Sequence, residues 1–259
     1  MLEALAVGSG SRVLELGTGT GYNAALLCAG LTDEQITSVE IDNHLVRDAH
    51  RALAEAGFHP TLRVTDGDVT DGAEYERLIV TYGVSKIPES WLSAVTPGGV
   101  IVAPLHREQM IGAVVRLTVE NDRRAIGRFL PFYGGFMPTR RRVTPAIRQA
   151  LEAAGGDHSS PRPTTLPELS LVGQEPWRFY VSLILGDLAF TDVMPHDFPD
   201  NRGIQHWLIA TDGSWAFQEL TPHGDPIVRE GGKRRLWTEL ETAIIQWMIM
   251  TNPKGNASG

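Results

Sequence analysis

The stretch "VLELGTGTGY", residues 13–22, constrains the fold more than any other part of the chain. Val13–Leu16 is a short apolar run, preceded by "GSGSR" and followed by glycine at every second position: Gly17, Gly19 and Gly21. Glycine is favoured where φ is positive or where a ligand lies against bare backbone. Beyond the turn, Asn23–Ala29 is rich in Ala and Leu and predicts a helix. A strand, a Gly-rich turn and a helix in that order form the nucleotide corner of a doubly wound α/β sheet.

The next stretch repeats the rhythm. "ITSVEID", Ile36–Asp42, predicts a second strand ending in acid. His44–Ala56 carries Leu45, Ala49, Ala52, Leu53 and Ala56 on one helical face, and Gly57 suits the position just past its end. Thr61–Thr65 and Arg77–Tyr82 predict a third and fourth strand. "PESWLSAV" predicts a short helix stopped by "TPGG", and "GVIVAPL" a fifth strand. Strands alternating with helices imply βαβ units and a parallel sheet. Ala113–Val119 and Ala125–Phe132 then follow with only "ENDRR" between them, too short for a helical crossover, so they predict an antiparallel hairpin.

The glycine spacing narrows the ligand. A dinucleotide fingerprint needs its third glycine three residues after the second, and Tyr22 stands there. The pattern found, Glu15-x-Gly17-x-Gly19-x-Gly21, is that of S-adenosylmethionine methyltransferases, whose cofactor lays a methionyl chain and a ribose over the turn. Glu40 ends the second strand 23 residues after Gly17. A carboxylate about 20 residues on can accept from ribose hydroxyls. Asp66-Gly67 ends the third strand; Asp66 reads either as an acceptor for the adenine amino group or as a turn-forming residue. The cofactor-binding candidates are therefore Glu15, Gly17, Thr18, Gly19, Gly21, Tyr22, Glu40, Ile41, Asp66 and Gly67. Thr81 and Tyr82, after the fourth strand, read either as neighbours of a reacting group or as packing.

Composition excludes several other classes. A net charge of −8 argues against a nucleic-acid partner. Cys28 is the single cysteine, which excludes a disulfide framework or a multi-cysteine zinc site. No apolar run approaches the roughly 20 residues of a membrane span, and "MLEALAVGSGSR" lacks the pattern of a signal peptide. The expectation is a cytoplasmic chain with no membrane partner. His196, Asp197, Asp200 and His206 match no common zinc spacing, so no metal is expected. "TRRR" and "KRR", ending at Arg142 and Arg235, read as solvated basic patches.

With these motifs in hand, the chain resembles the protein-L-isoaspartate O-methyltransferases. "VLELGTGTGYNAALL", "VEID", "DGD", "YERLIVTYGVSKIPESWLSAVTPGGVIVAPL" and "FMP" carry the resemblance, over roughly Met1–Pro138. It implies a seven-stranded, mostly parallel, Rossmann-like sheet ending in an antiparallel hairpin. It also implies S-adenosylmethionine as cofactor and an aspartyl or isoaspartyl carboxylate of a protein or peptide as substrate. The chain begins inside the helix that the family places after a Ser-containing substrate loop, so that loop is expected to be absent. About 120 residues after Pro138 are extra. Such extensions resemble members beside peptide-maturation enzymes, which methylate an Asp of a ribosomally made peptide towards an aspartimide. A SAM-fold module that only binds a peptide or partner protein is the alternative.

The expected organisation is a methyltransferase domain over 1–138, a linker over 139–175 containing "GGDHSSPRPTTLPE", and an α+β substrate-recognition domain over 176–259. In that last part "WRFYVSLIL", "HWLIA", "SWAFQEL" and "PIVRE" predict strands, and "RRLWTELETAIIQWMIM" a helix.

Overall fold

The structure is a computed structural model. It describes residues 1–67, 72, 74–106, 113–121, 124–137, 147–155, 160–166, 176–186, 188–193, 205–220 and 223–251. The chain divides into two compact units, 1–106 with 111–140, and 107–110 with 141–259.

The first unit opens with α1 (Leu2–Leu5), β1 (Val13–Leu16), α2 (Tyr22–Gly30), β2 (Ile36–Glu40), α3 (Asn43–Glu55) and β3 (Thr61–Val64). It continues with β4 (Tyr75–Val80), α4 (Glu89–Ala94), β5 (Val95–Leu105), β6 (Ala113–Asn121) and β7 (Arg124–Tyr133). The seven strands lie in the order β3-β2-β1-β4-β5-β6-β7. β1 lies in the interior of the sheet, parallel to β2 and β4, with Val13 opposite Ile36 and Arg77. A strand flanked on both sides and covered on both faces must be apolar throughout. Val13, Leu14 and Leu16 are buried, and so, against that rule, is Glu15.

β6 runs antiparallel to β5, and β7 antiparallel to β6, as the short loop required. The "TPGG" segment, expected as a break, lies inside β5. The pairing with β4 shifts register between Tyr75 and Arg77, a bulge that absorbs these residues without ending the strand. α3 begins where the Asp42 side chain accepts from the His44 N–H at 2.9 Å, and Gly57, φ 82°, turns the chain after it.

The second unit holds α5 (Ile147–Gly155), β8 (Arg162–Pro163), α6 (Pro176–Leu185), β9 (Leu188–Val193), β10 (Gln205–Ala210), β11 (Trp215–Leu220), β12 (Pro226–Gly231) and α7 (Leu236–Thr251). Its sheet is antiparallel in the order β8-β12-β11-β10-β9. "WRFYVSLIL" is a helix here, not a strand. Its aromatic and β-branched residues favour a strand locally, but Trp177, Val181 and Leu185 recur every fourth residue. They join one core with Leu236, Trp237, Leu240 and Ile244 of α7. Tertiary packing overrides propensity. Part of the expected linker is built into this unit as α5 and β8. Pro163 is tolerated because β8 is an edge strand. Arg162 is held by Glu241 at 3.0 Å and Glu230 at 3.4 Å.

Trp207, Trp215 and Trp237 are buried, and Trp207 stacks on Phe217 with centroids 4.5 Å apart. These three tryptophans are core, not exposed anchors. Arg140–Arg142, His196, Asp197 and Asp200 lie outside the described residues, and no group of three metal-ligating side chains occurs among the described ones. Arg234 is paired with Glu239, and Arg235 donates to the Glu230 carbonyl. No helix among the described residues is long and apolar enough to cross a membrane.

Candidate active site

Strand order reverses direction at β1, with β2 on one side and β4 on the other. Ligands of open α/β sheets bind at such switch points, outside the carboxyl ends of the strands. A cavity of about 480 Å³ opens there, lined by Leu16, Gly17, Gly19, Val39, Glu40, Ile41, Leu45, Thr65, Asp66, Gly67, Thr81, Tyr82 and Gly135–Met137. That volume is within the range of small-molecule sites. Residues as far apart in sequence as Gly17 and Tyr82 meet because four parallel strands deliver their ends to one edge.

The glycine turn is shaped by its neighbours. Gly17 has φ 100°, and a Cβ there would overlap the Thr81 hydroxyl and lie 2.9 Å from the Tyr82 ring. Gly19, φ 54°, has no atom within 4 Å of a Cβ position, so its bare backbone faces open space. Gly21, φ 82°, caps α2 and would bring a Cβ to 3.2 Å from Leu53 of α3. The three glycines thus do three things: clear β4, floor the cavity, and let two helices approach.

Glu40 is fixed at the rim. Its carboxylate accepts from the N–H groups of Gly19 at 3.0 Å, Ile41 at 2.9 Å and Asp42 at 3.3 Å. Thr81 donates its hydroxyl to the carbonyls of Gly17 at 2.5 Å and Leu16 at 3.1 Å, which latches the turn to β4. Tyr82 lies beside Gly67, where a Cβ would come within 2.9 Å of its phenol oxygen. Burial, with the charges of Asp66 and Glu40, pushes the Tyr82 phenol up to about 12. It is therefore a hydrogen-bond donor at neutral pH and not a base. Trp91 of α4 donates its indole N–H to the Gly67 carbonyl at 3.1 Å.

Of the residues expected from sequence, Gly17, Gly19, Glu40, Ile41, Asp66, Gly67, Thr81 and Tyr82 line the cavity. Glu15 does not; it lies fully buried beneath the turn. Thr18 and Tyr22 face an adjacent open cleft of about 590 Å³ with Thr20 and Asn23. Tyr22 is 71% exposed there. Gly21 packs against α3. The cavity-lining residues Leu16, Val39, Leu45, Thr65 and the segment Gly135–Met137 were not among those expected from sequence. That segment reaches the cavity after the hairpin, where the Gly83 N–H donates to the Met137 carbonyl at 2.8 Å. Only the tripeptide "FMP" signalled it.

Glu15 has an unusual setting. Its carboxylate accepts from the Ser38 hydroxyl at 2.5 Å and the Asn23 amide at 2.7 Å. Burial, against these hydrogen bonds, raises it from 4.5 to about 7, and the charge of Glu40 adds to the rise. The Cys28 thiol is buried and pushed up to about 12, so it is a packing residue.

Comparison with known proteins agrees with this geometry. A model of the family described as protein-L-isoaspartate(D-aspartate) O-methyltransferase matches residues 1–134. The protein-L-isoaspartate O-methyltransferase of Thermococcus onnurineus is 34% identical over 144 residues, covering 52% of this chain and 65% of the relative. That of Rhodospirillum rubrum is 32% identical over 148 residues, covering 53% and 67%. The chain thus spans about two-thirds of these relatives, or slightly less. A solved structure titled protein-L-isoaspartate O-methyltransferase superposes with a TM-score of 0.57 at 20% identity, covering 96% of this chain and 72% of that one. Its fold match therefore extends well beyond the residues of the family model. On its first 134 residues, this chain belongs to the protein-L-isoaspartate(D-aspartate) O-methyltransferase family.

Proposed function

We propose that the chain is an S-adenosylmethionine-dependent O-methyltransferase whose acceptor is an aspartyl or isoaspartyl carboxylate of a protein or peptide. The observation that carries this is the convergence of Gly19, Glu40, Asp66 and Tyr82 on one cavity at the β1/β4 switch point. The fit of the cofactor is supported by the open face over Gly19, which a side chain would fill. Glu40 would hold the ribose, Asp66 the adenine amino group, and Gly17 and Gly19 the methionyl chain. When bound, the cofactor supplies an electrophilic methyl group on a sulfonium.

The chain's own residues then position the two partners. A carboxylate acceptor has an ordinary pKa of about 4, so it is ionised at neutral pH and needs no general base. This suits a site in which the Tyr82 phenol stays protonated. Holding reactants in line can contribute up to about 7–11 kcal/mol. Thr81 acts in that sense as a positioning residue, since its hydroxyl is committed to the glycine turn. We assign contact with the substrate to Tyr82, which lines the cavity. The second unit follows the seven-stranded sheet, and we assign it to substrate selection. The further reading, that the substrate is a ribosomally made peptide whose ester closes to an aspartimide, rests on the C-terminal extension.

The test is transfer of a labelled methyl group from S-adenosylmethionine to matched isoaspartyl, aspartyl and asparaginyl peptides. Label should enter the isoaspartyl or aspartyl peptide as a base-labile ester. Equal labelling of the asparaginyl peptide, or none of any peptide, would refute the assignment.

A further inference from the structure

We propose that Glu15 is a positioning residue: it shapes the glycine turn from beneath, through Ser38 and Thr18, and does not touch the ligand that the turn carries. The inference rests on the reading of the cavity as a cofactor site.

A carboxylate just before such a turn could act in two ways. Its charge could act on the ligand, or its oxygens could hold the protein. The geometry favours the second. The cavity wall passes from Leu16 to Gly17 without including Glu15, which has no exposed surface. Both carboxylate oxygens are occupied from inside the fold. One accepts from Asn23 in the first turn of α2, and the other from Ser38 in the middle of β2.

Ser38 has one hydroxyl hydrogen, and it goes to Glu15. The bond of 2.6 Å between Thr18 and Ser38 must then be donated by Thr18. Thr18 stands between Gly17 and Gly19, both of which line the cavity. Its N–H also donates to the Val39 carbonyl at 3.1 Å, beside that of Gly17 at 2.8 Å. The turn is therefore pinned to β2 by two backbone bonds and one side-chain chain of bonds that ends on Glu15. Thr81 pins it from the opposite side, on β4.

This arrangement makes a distinctive demand on residue 15. It must satisfy an amide donor and a hydroxyl, and it need not be charged. A glutamine meets that demand with the chain of bonds reversed. Its carbonyl accepts from Asn23, its amide donates to Ser38, and Ser38 donates to Thr18. A leucine of similar size cannot: it takes the acceptor from the part-buried Asn23 amide and breaks the chain of bonds between Glu15 and Ser38. A residue acting by charge on the ligand would treat both substitutions alike.

The experiment is calorimetric titration of the full chain with S-adenosylhomocysteine, for wild type, Glu15→Gln, Glu15→Leu and Ser38→Ala. Glu15→Gln should bind within about threefold of wild type. Glu15→Leu should bind at least about tenfold more weakly, the scale of an unpaired buried group. Ser38→Ala should weaken binding about three- to tenfold, and should add little in the Glu15→Leu background. If Glu15→Leu does not fold, the comparison of Glu15→Gln with Ser38→Ala still decides. A glutamine variant as weak as the leucine variant or weaker than Ser38→Ala, or a Ser38→Ala variant that binds like wild type, overturns this inference alone. Failure of the wild type to bind overturns the cofactor reading, and this inference with it.

Discussion

At the scale of the residue, two glutamates on the adjacent strands β1 and β2 stand in opposite settings. Glu40 lies at the rim with its carboxylate fixed by three backbone donors, and it lines the cavity. A charged hydrogen bond is worth about 1.5–3 kcal/mol, so Glu40→Ala should lower S-adenosylhomocysteine affinity at least about tenfold. Unchanged affinity in a titration would remove Glu40 from the site. Glu15 is buried, and its carboxyl is raised from 4.5 to about 7. The folded chain thus holds that proton more tightly than the unfolded chain. The stability this gives is complete below about pH 4.5 and is lost as the pH rises through 7. Across that window the wild type should lose up to about 3 kcal/mol relative to Glu15→Gln. Parallel stability curves from denaturant melts would contradict the shift. Both glutamates were legible as special from spacing to the glycines. Their difference was not, because burial depends on Ser38 and Asn23, which only the assembled sheet brings to Glu15.

At the scale of the element, the glycine turn is where sequence and structure agree most closely. Positive φ at Gly17, Gly19 and Gly21 is what a strand-to-helix turn of this spacing requires. The neighbours separate the three. An alanine at Gly17 meets Thr81 and Tyr82, whereas one at Gly19 meets nothing within 4 Å. Gly17→Ala should therefore lower the melting temperature more than Gly19→Ala. Both carry the strain of positive φ, about 1–2 kcal/mol, but only Gly17→Ala adds a clash. Gly19→Val should fold yet fail to bind cofactor, since its side chain enters the cavity. Normal binding by Gly19→Val would make the turn a structural feature only. The elements read correctly were those whose apolar run or helical spacing is bounded by clear turn residues. The helix α6 was misread because bulky aromatic and branched residues suit a strand until the packing against α7 is known. The segment Gly135–Met137 was unreadable as a cavity wall, because its place depends on where the hairpin ends.

At the scale of the whole molecule, the cavity residues all belong to the first unit, and the family model ends within it. A chain truncated after residue 140 should keep its affinity for S-adenosylhomocysteine while its turnover of the cognate peptide falls selectively. Loss of cofactor binding in a truncation that still folds would mean that the second unit completes the site. Trp207, Trp215 and Trp237 of the second unit are buried, so they fill a core and are not free to contact a substrate.

The measurement that tests the central claim most directly is a calorimetric titration of the full chain with S-adenosylhomocysteine and, separately, with NAD. A cavity built on Gly17-x-Gly19-x-Gly21, with Tyr22 where a dinucleotide site needs glycine, predicts saturable binding of S-adenosylhomocysteine and none of NAD. Binding of NAD, or of neither ligand, would contradict it.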